Sequence, residues 1–588
     1  MHRISILSII LGGLSIHAAP FLVNRTPGFN SARILTTWLD EYTGRNQDTR
    51  ANICATIIAD KSFEPHTLTR SLFEFSHQNC TLEREYIKIS GSAVGTRDTQ
   101  TDWLADYFGL PLDFQSVLSF APHVRTVGVI LSNYIHLDRF VCNSYITVQL
   151  PLVHTTWNLD FQEHIINKGT QGYPVGYFGP TAVARQNLLN SATDFFQEGK
   201  APTLSESVVF QPLSAGRFYN KSQSKGGLSE LRVTCGWTPI LCSDYHLGFE
   251  FIAAVPTGSK VRGIYLFEPI LGNGHFGEVG LGLHGHATFW RNCNETMSWS
   301  LVGYMMMTSL LSTIQQSSFD LKNQFNNSKY MLAQNMGAPI RQNLTGQSGG
   351  VLVAPVVQFR DLYAPVANIT YCNVRTHVGS QWDITALLDF EHDCLRFDIG
   401  YSYYHRDCQR FRFPCQTEVL TGVNVITPLT WALKGDSYSY GFVQDTPIPL
   451  SATQSGATIT TGLNYQTPNS PDGALNIAID RPAPAFSGDT DVTTSPTSFD
   501  QINTSIQPIT LVTNDINLRG SQTKAATNKF FGAFRYYVPT CRTWQPYVTL
   551  AGAVELGTSS DHMCDSQICC SYTSISQWSV WAVFGAIF

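Results

Sequence analysis

The chain has 588 residues, of which 14% are charged and 43% hydrophobic, with 38 lysines and arginines against 44 aspartates and glutamates. Soluble globular proteins average about 25% charged residues. Uncharged polar residues largely replace the missing charge, which excludes a membrane protein built from helices and an acidic disordered chain. A formal net charge of −6 provides no basic surface to neutralise phosphates, so the sequence predicts no nucleic-acid partner.

The N-terminus has the pattern of a bacterial export signal. A short basic start ending at Arg3 precedes an apolar stretch from Ile4 to Ile16, and Ala18 and Ala19 follow as a small-residue exit. The sequence therefore predicts a cleaved signal peptide over residues 1–19. No later window offers about 20 consecutive apolar residues, so no membrane helix is predicted.

The 14 cysteines are even in number and form no zinc-finger or C-x-x-C spacing. In an exported chain they indicate disulfides in an oxidising compartment, although several could be buried thiols. Their connectivity cannot be read from the sequence, and both bridges within loops and bridges between neighbouring molecules stay open.

Apolar and polar residues alternate with period two over segments of about ten residues, each ended by a turn. WDITALLDF at 382–390 is one such segment. Paired in succession, these segments predict antiparallel hairpins, and they lie at 153–162, 230–237, 245–255, 278–290, 382–390, 395–404, 529–538 and 547–556.

A soluble β-sandwich also alternates, but three features favour a membrane barrel. The segments have about the length that a tilted strand needs to cross a bilayer, which exceeds the usual soluble strand. Tryptophans stand toward segment ends, and the polar faces carry charged residues that a water-filled lumen tolerates. The sequence therefore predicts an all-β fold, a transmembrane antiparallel β-barrel of about 14–18 strands with long extracellular loops.

The last 13 residues, SQWSVWAVFGAIF, alternate and end on Phe588. This segment resembles the C-terminal signal of bacterial outer-membrane β-barrel proteins, which the barrel assembly machinery recognises. The resemblance implies location in the bacterial outer membrane and contact with its lipid. The implied signal consists of Trp578, Val580, Ala582, Phe584, Ala586 and Phe588. The cysteine content is also similar to that of the cysteine-containing major outer-membrane porins of intracellular bacteria.

The hairpin-rich region, 121–588, is expected to form the barrel, with a large loop at 416–526 that is rich in Thr, Ser, Pro and Gly. Residues 20–120 mix loops with weak strands and are expected to form a plug, a periplasmic extension or the first barrel strands.

These features predict a porin, in which small hydrophilic solutes diffuse passively through a water-filled barrel. The expected pore-lining residues stand on polar strand faces: Asp160, Glu230, Arg232, Glu250, Glu278, His284, His286, Asp389, Arg396 and Asp398. A homo-oligomer is compatible with this function. The alternative is an adhesin or surface structural protein that the barrel anchors.

Local motifs for other chemistry have unsuitable contexts. GQSGG around Ser348 lacks the strand-turn-helix of a nucleophile elbow, and GNGHFG at 272–277 leads into a strand rather than a helix. His284 and His286 share a strand face and could bind a metal with His246, but two lumen imidazoles are the favoured interpretation. No enzymatic activity, metal or cofactor is therefore predicted.

Overall fold

A computed structural model describes residues 25–26, 32, 51–73, 85–294, 296–337, 357–414, 431–443, 446–463, 486–487, 501–502, 508–539, 544–558 and 571–588. The expected signal peptide and the motif around Ser348 lie outside these residues.

Twelve long strands dominate the described part of the chain. They are β1 Ala51–Ser62, β2 His123–His136, β3 Ser144–Asn158, β4 Leu231–Leu241, β5 Tyr245–Val255, β6 Glu278–Arg291, β7 Met297–Ser317, β8 Cys372–His392, β9 Leu395–Arg406, β10 Thr523–Tyr537, β11 Gln545–Gly557 and β12 Gln577–Ile587. Each strand pairs antiparallel with the next strand along the chain, and β1 pairs with β12. The sheet therefore closes on itself, which leaves no barrel strand with an unpaired edge in hydrocarbon.

The all-β barrel class is confirmed, but the described residues contain twelve barrel strands rather than the expected range of about 14–18. Two features account for the smaller number. The expected number allowed for weaker barrel strands within 51–151 and 350–380, but Glu85–Ser90, Gln115–Phe120 and Gln358–Pro365 in these regions pair with other segments outside the barrel. In addition, β7 and β8 have 21 residues each, more than a bilayer crossing requires, so the chain uses more residues per strand.

The outward face of the barrel is apolar and the inward face is polar. On β5, Phe249 and Phe251 are 49% and 54% exposed, whereas Glu250 between them is 3% exposed. The same arrangement places Ile57, on β1, and Ile399, on β9, on the outside. This polarity is the reverse of a soluble barrel and suits an outer face in contact with lipid.

The two ends of the barrel differ in the length of their connections. At one end the turns hold two to seven residues, namely 137–143, 242–244, 292–296, 393–394 and 538–544. At the other end the connections hold 19 to 116 residues. Outer-membrane barrels combine short periplasmic turns with longer extracellular loops, so we name the two ends the turn end and the loop end.

The long connections build a cap on the loop end. One four-stranded sheet contains Trp103–Leu104, Glu85–Ser90, Gln115–Phe120 and Gln162–Asn167, and a second contains Trp431–Leu433, Leu332–Gly337, Gln358–Pro365 and Val209–Phe210. The helices are α1 Pro65–Phe73, α2 Ala192–Phe196 and α3 Val366–Thr370, with 3-10 turns at Ala105–Phe108, Arg185–Asn187, Ser328–Tyr330 and Thr513–Asp515. Further short strands are Gln223–Leu228, Gln409–Arg412, Tyr440–Val443, Thr446–Pro449, Phe486–Ser487, Gln501–Ile502 and Ser571–Tyr572.

The cap has an aromatic core of its own. Phe196 stacks on Phe218 with ring centroids 4.5 Å apart, and Trp103 and Tyr330 pack beside them. Residues 85–120, 431–443, 446–463 and 508–518 belong to the cap, whereas the last residues of the expected loop, 523–526, belong to β10 in the barrel wall. Within 20–120, the barrel strand is β1.

The final strand, β12, presents the residues of the expected assembly signal on one side. Trp578, Val580, Phe584 and Phe588 are between 40% and 50% exposed on the outside, whereas Trp581 and Val583 point inward and are buried. No helix in the described segments is long and apolar enough to cross a membrane.

Replacing Ile399 by arginine is expected to lower the free energy of unfolding by about 2–4 kcal/mol, because the charge would enter the middle of the lipid-facing surface. Ile399 is 74% exposed near the centre of β9. Urea titration of vesicle-embedded protein, followed by gel migration with and without heating, measures the effect. Phe140→Arg in the 137–143 turn is the matched control, and equal stability of both variants would show that Ile399 does not face lipid.

Candidate functional site

Nine of the ten expected pore-lining residues lie inside the barrel, each no more than 5% exposed. They are Glu230, Arg232, Glu250, Glu278, His284, His286, Asp389, Arg396 and Asp398. Their side chains point away from lipid because alternate residues of a strand face opposite sides. These residues bring acidic and basic side chains from β4, β5, β6, β8 and β9 into one lumen, with Glu230 at the position just before β4.

Asp160 is the exception, and its expected place on a barrel strand is wrong. Strand β3 ends at Asn158, and Asp160 adopts a left-handed backbone conformation, with φ of 42°, in the connection to the cap. The alternation at 153–162 continues past the end of the lipid-facing part of β3. In this segment Val153 and Trp157 point inward, and Phe161 packs in the cap core. The apolar face of this segment is therefore the inner face.

Arg232 lies between two carboxylates at the loop end of the lumen. Its Nη2 is 3.2 Å from Glu230 Oε1 and 3.1 Å from Glu278 Oε2. Asn273 donates to the other oxygen of Glu278 at 2.5 Å, and the hydroxyl of Thr26 donates to Glu230 at 3.1 Å. Buried carboxylates need such partners because desolvation of an unpaired charge costs several kcal/mol.

A second cluster involves a residue from the N-terminal region. Arg25 Nε lies 3.4 Å from Glu555 and 3.7 Å from Asp383, and its Nη1 donates to Ser402 at 3.2 Å. Lys529 also pairs with Glu555, at 3.0 Å. Arg25 and Thr26 therefore lie inside the lumen, between β4, β8, β9 and β11.

The sequence-based set of pore-lining residues omitted this second cluster. Asp383, Lys529 and Glu555 each stand on the polar face of a segment that was recognised as a strand, so the alternation could have identified them. No local pattern marks Arg25 as a lumen residue, because its neighbours in space are more than 350 positions away along the chain.

A third cluster of charged residues links the neighbouring strands β8 and β9 near the turn end. Arg396 Nε lies 2.6 Å from Asp389 and 3.0 Å from Asp398. Asp389 and Asp398 are opposite each other in the register of β8 and β9. Arg396 stabilises this like-charged pair, which would otherwise be destabilising across two strands.

Glu250, the remaining acidic residue of the expected pore-lining set inside the barrel, accepts hydrogen bonds from two tyrosine hydroxyls. Tyr145 donates to Glu250 Oε1 at 2.6 Å and Tyr304 donates to Oε2 at 2.8 Å, while Tyr145 Oη also lies 2.9 Å from His284 Nε2. The ring of Tyr145 fits because position 236 is glycine, where a Cβ would come within 2.0 Å of Tyr145 Cζ.

The three histidines His246, His284 and His286 meet near the turn end. His246 Nε2 lies 3.2 Å from His284 Nδ1, and the Nδ1 atoms of His246 and His286 are in contact. His246 therefore turns a different ring nitrogen to each neighbour, so the three rings do not converge on one point. Among the described residues, no group of three or more histidines, cysteines, aspartates or glutamates has metal-binding geometry.

The three clusters and Glu250 together bring seven carboxylates and four cations into this lumen. Eight-stranded barrels are filled by their own side chains, whereas barrels of 16–18 strands leave an aqueous channel. The twelve-stranded barrel lies between these sizes. The nine inward residues, Arg25 and Thr26 are each no more than 7% exposed, so little solvent reaches them in this conformation.

Lys434, in the cap, is a buried cation outside the barrel. Its Nζ lies 3.8 Å from the centre of the Tyr177 ring and donates to the carbonyl oxygen of Ser437. Burial lowers the pKa of Lys434 to about 7, although the carboxylates of Asp436 and Asp106 act in the opposite direction. Lys434 as a whole is only 1% exposed to solvent.

The cap is expected to become more resistant to proteolysis as the pH rises from 7 toward 10. In this window the unfolded cap keeps the proton on Lys434 and the folded cap does not, so the free energy of unfolding increases with pH, by at most roughly 5 kcal/mol. Thermolysin cleavage rates of the wild-type protein and Lys434→Met, compared at each pH, measure the effect. The wild-type rate divided by the Lys434→Met rate should fall as the pH increases. A ratio that stays constant with pH would contradict the lowered pKa of Lys434.

No protein-family model and no curated protein matches this sequence. Among solved structures, the chain is similar to an outer membrane channel from Pseudomonas putida F1, with 8% identity, coverage of 92% of this chain and 97% of the other, and a TM-score of 0.30. A FadL homologue from Pseudomonas aeruginosa has 8% identity, coverage of 92% and 90%, and a TM-score of 0.24. The Pseudomonas putida toluene transporter TodX has 8% identity, coverage of 97% and 96%, and a TM-score of 0.25.

At these TM-scores the similarities carry no argument about function, which rests instead on the geometry of the barrel. No family model or curated protein supports the narrower resemblance to the cysteine-containing porins, which stays a prediction.

Proposed function

We propose that this protein is an integral outer-membrane channel for small hydrophilic solutes, closed in the conformation described here. The observation that carries the proposal is the polarity of the barrel: apolar side chains cover the outside, and charged side chains line the inside of a closed sheet. Such a lumen provides hydrogen-bonding partners to a polar solute, whereas lipid covers the outer wall.

The lining favours a polar solute over an apolar one. TodX is a toluene transporter by its description, but a hydrocarbon passing this lumen would separate ion pairs such as Arg232 with Glu278 and offer no polar group in return. A hydrophilic solute replaces those contacts with hydrogen bonds of its own.

Reconstitution in planar bilayers tests the proposal. Stepwise ohmic conductance, together with swelling of vesicles in small sugars, supports the channel for hydrophilic solutes. Uptake of toluene without any ion conductance would assign an apolar substrate. A folded barrel that shows neither activity would contradict the channel.

The alternative function is that of an adhesin or surface structural protein anchored by the barrel. The observation that favours it is the cap, which has a separate aromatic core and covers the loop end of the barrel. Insertion without conductance, combined with binding of the isolated outer membranes to a host surface, would support this alternative.

For assembly, we propose that the barrel assembly machinery recognises the outward residues of β12 together with Phe588, which directly follows this strand. Replacement of Phe588 by serine is expected to reduce the amount of barrel in outer membranes while leaving the exported precursor detectable.

A further inference from the structure

Side chains of the barrel wall surround the guanidinium group of Arg25 inside the lumen. Its Nε faces the carboxylates of Asp383 and Glu555. Its Nη1 donates to the hydroxyl of Ser402, and the guanidinium carbon lies 5.1 Å from the centre of the Tyr404 ring. Arg25 precedes all the barrel strands in the chain, whereas its four neighbours stand on β8, β9 and β11. We name these four wall residues the Arg25 site: Asp383, Ser402, Tyr404 and Glu555.

The wall fixes the two acids of the Arg25 site by hydrogen bonds of its own. Asp383 accepts from Ser402 at 3.0 Å, so this hydroxyl accepts from the guanidinium and donates to the acid. Glu555 accepts from Thr527 at 2.5 Å and from Gln577 at 3.1 Å. These donors stand on β9, β10 and β12. The acids therefore keep their positions when another group replaces the guanidinium, and the site is preorganised.

Charge at the Arg25 site favours a cation as the occupant. Asp383 and Glu555 bring two carboxylates, and Lys529 lies 3.0 Å from Glu555. Arg25 brings the second positive charge to this cluster. Because carboxylates in a buried position need opposite charges nearby, a neutral occupant in place of Arg25 would be unfavourable.

The geometry of the site suits a guanidinium better than a compact ammonium group. A guanidinium is planar, donates several hydrogen bonds in fixed directions and packs on aromatic rings. Arg25 uses these properties together, because it faces two acids and the hydroxyl of Ser402 while its charge lies near the Tyr404 ring.

Two buried polar atoms beside the Arg25 site have no hydrogen-bond partner among the described residues. One is Nε2 of Gln381, which shares the inward face of β8 with Asp383 and accepts from Tyr404 through its oxygen at 3.3 Å. The other is Oε2 of Glu230, whose second oxygen accepts from Thr26. Buried polar groups are nearly always paired, so this donor and this acceptor indicate additional contacts for a bound solute.

We propose that the Arg25 site binds the guanidinium group of a cationic solute that passes through the channel. The proposal rests on the channel function proposed above and names the class of solute that the channel favours. Arg25 occupies the site in the conformation described here and acts as a tethered competitor, at an effective concentration of roughly millimolar order. A solute that displaces it binds weakly enough to leave again, as conduction requires.

Uptake of radiolabelled amino acids into vesicles that contain the full-length protein tests the proposal. Arginine and citrulline have nearly the same size, but citrulline carries an uncharged ureido group in place of the guanidinium. Arginine is expected to enter roughly tenfold faster, because an acidic lumen concentrates a cation. Lysine has the same charge without the planar group and should enter more slowly than arginine. Equal salt on both sides of the membrane excludes a membrane potential as the cause.

Variants assign the preference to this site. The double variant Asp383→Asn, Glu555→Gln retains the size of both side chains and should admit arginine and citrulline at similar rates. Asp138→Asn, at an exposed position of the 137–143 turn, is the matched control and should keep the preference. Arg25→Gln removes the competitor, so half-maximal arginine uptake should need a severalfold lower concentration, whereas Arg139→Gln should leave that concentration unchanged. Heat-modifiable migration confirms that each variant is folded.

The wild-type comparison needs no variant and is decisive by itself. Equal entry of arginine and citrulline into vesicles that swell in small sugars would overturn the guanidinium site and leave the channel proposal intact. Lysine entering as fast as arginine would overturn the choice of a guanidinium. A preference that survives in the double variant would overturn its assignment to Asp383 and Glu555. A folded barrel that admits neither sugars nor amino acids would contradict both proposals.

Discussion

Replacement of Arg232 by methionine is expected to lower the free energy of unfolding by about 3–5 kcal/mol, because it leaves buried carboxylates without their shared cation. Arg232 contacts both Glu230 and Glu278, and all three side chains are no more than 2% exposed. Methionine retains the length of the aliphatic chain, so the change removes charge with little loss of packing. Urea titration in lipid vesicles at neutral pH measures the difference.

Two further variants separate the charge effect from other causes. Arg125→Met removes an exposed arginine of β2 and should change the stability by less than about 1 kcal/mol. Adding Glu230→Gln and Glu278→Gln to Arg232→Met removes the carboxylates as well, and this triple variant should regain most of the stability. If Arg232→Met were as stable as Arg125→Met, the buried cluster would not contribute as described.

Replacement of Arg25 by aspartate is expected to increase single-channel conductance severalfold. The wild-type side chain lies within 4 Å of Asp383 and Glu555 in the lumen. An aspartate at this position would instead be repelled by both carboxylates at low dielectric, which favours its departure from the lumen. Planar-bilayer recordings at fixed salt concentration measure the change.

The control for this experiment is Arg139→Asp, which makes the same change of charge at an exposed position in the 137–143 turn. It should leave conductance at the wild-type value, and Arg25→Lys should stay mostly closed because it keeps the positive charge. Equal conductance of Arg25→Asp and the wild-type protein would show that Arg25 does not help to close the lumen.

Local alternation was sufficient to predict the strands of the lipid-facing region. The alternation at 245–255, for example, assigns Phe249 to the outside and Glu250 to the inside. The alternation at 395–404 likewise assigns Ile399 to the outside and Asp398 to the inside, and the structure shows all four positions as predicted. The reason is physical: a strand that separates lipid from a polar lumen must alternate, and no distant residue can change that requirement.

Alternation fails where a strand leaves the lipid-facing region. At 153–162 the apolar side faces inward because the cap core covers it, and Asp160 therefore lies outside the barrel wall. The strands at 85–90 and 115–120 have similar local patterns but pair within the cap. Which surface covers a strand depends on residues far away in the chain, and the local pattern contains no information about them.

The sequence by itself determined that the chain forms amphipathic strands with apolar and polar faces, because side-chain alternation is a local property. Only the tertiary structure decided that twelve strands close the barrel and that Arg25 pairs with Asp383 and Glu555. Each of these features depends on sheet closure, which brings together residues hundreds of positions apart, and hydrogen-bond register rather than sequence spacing sets their distances.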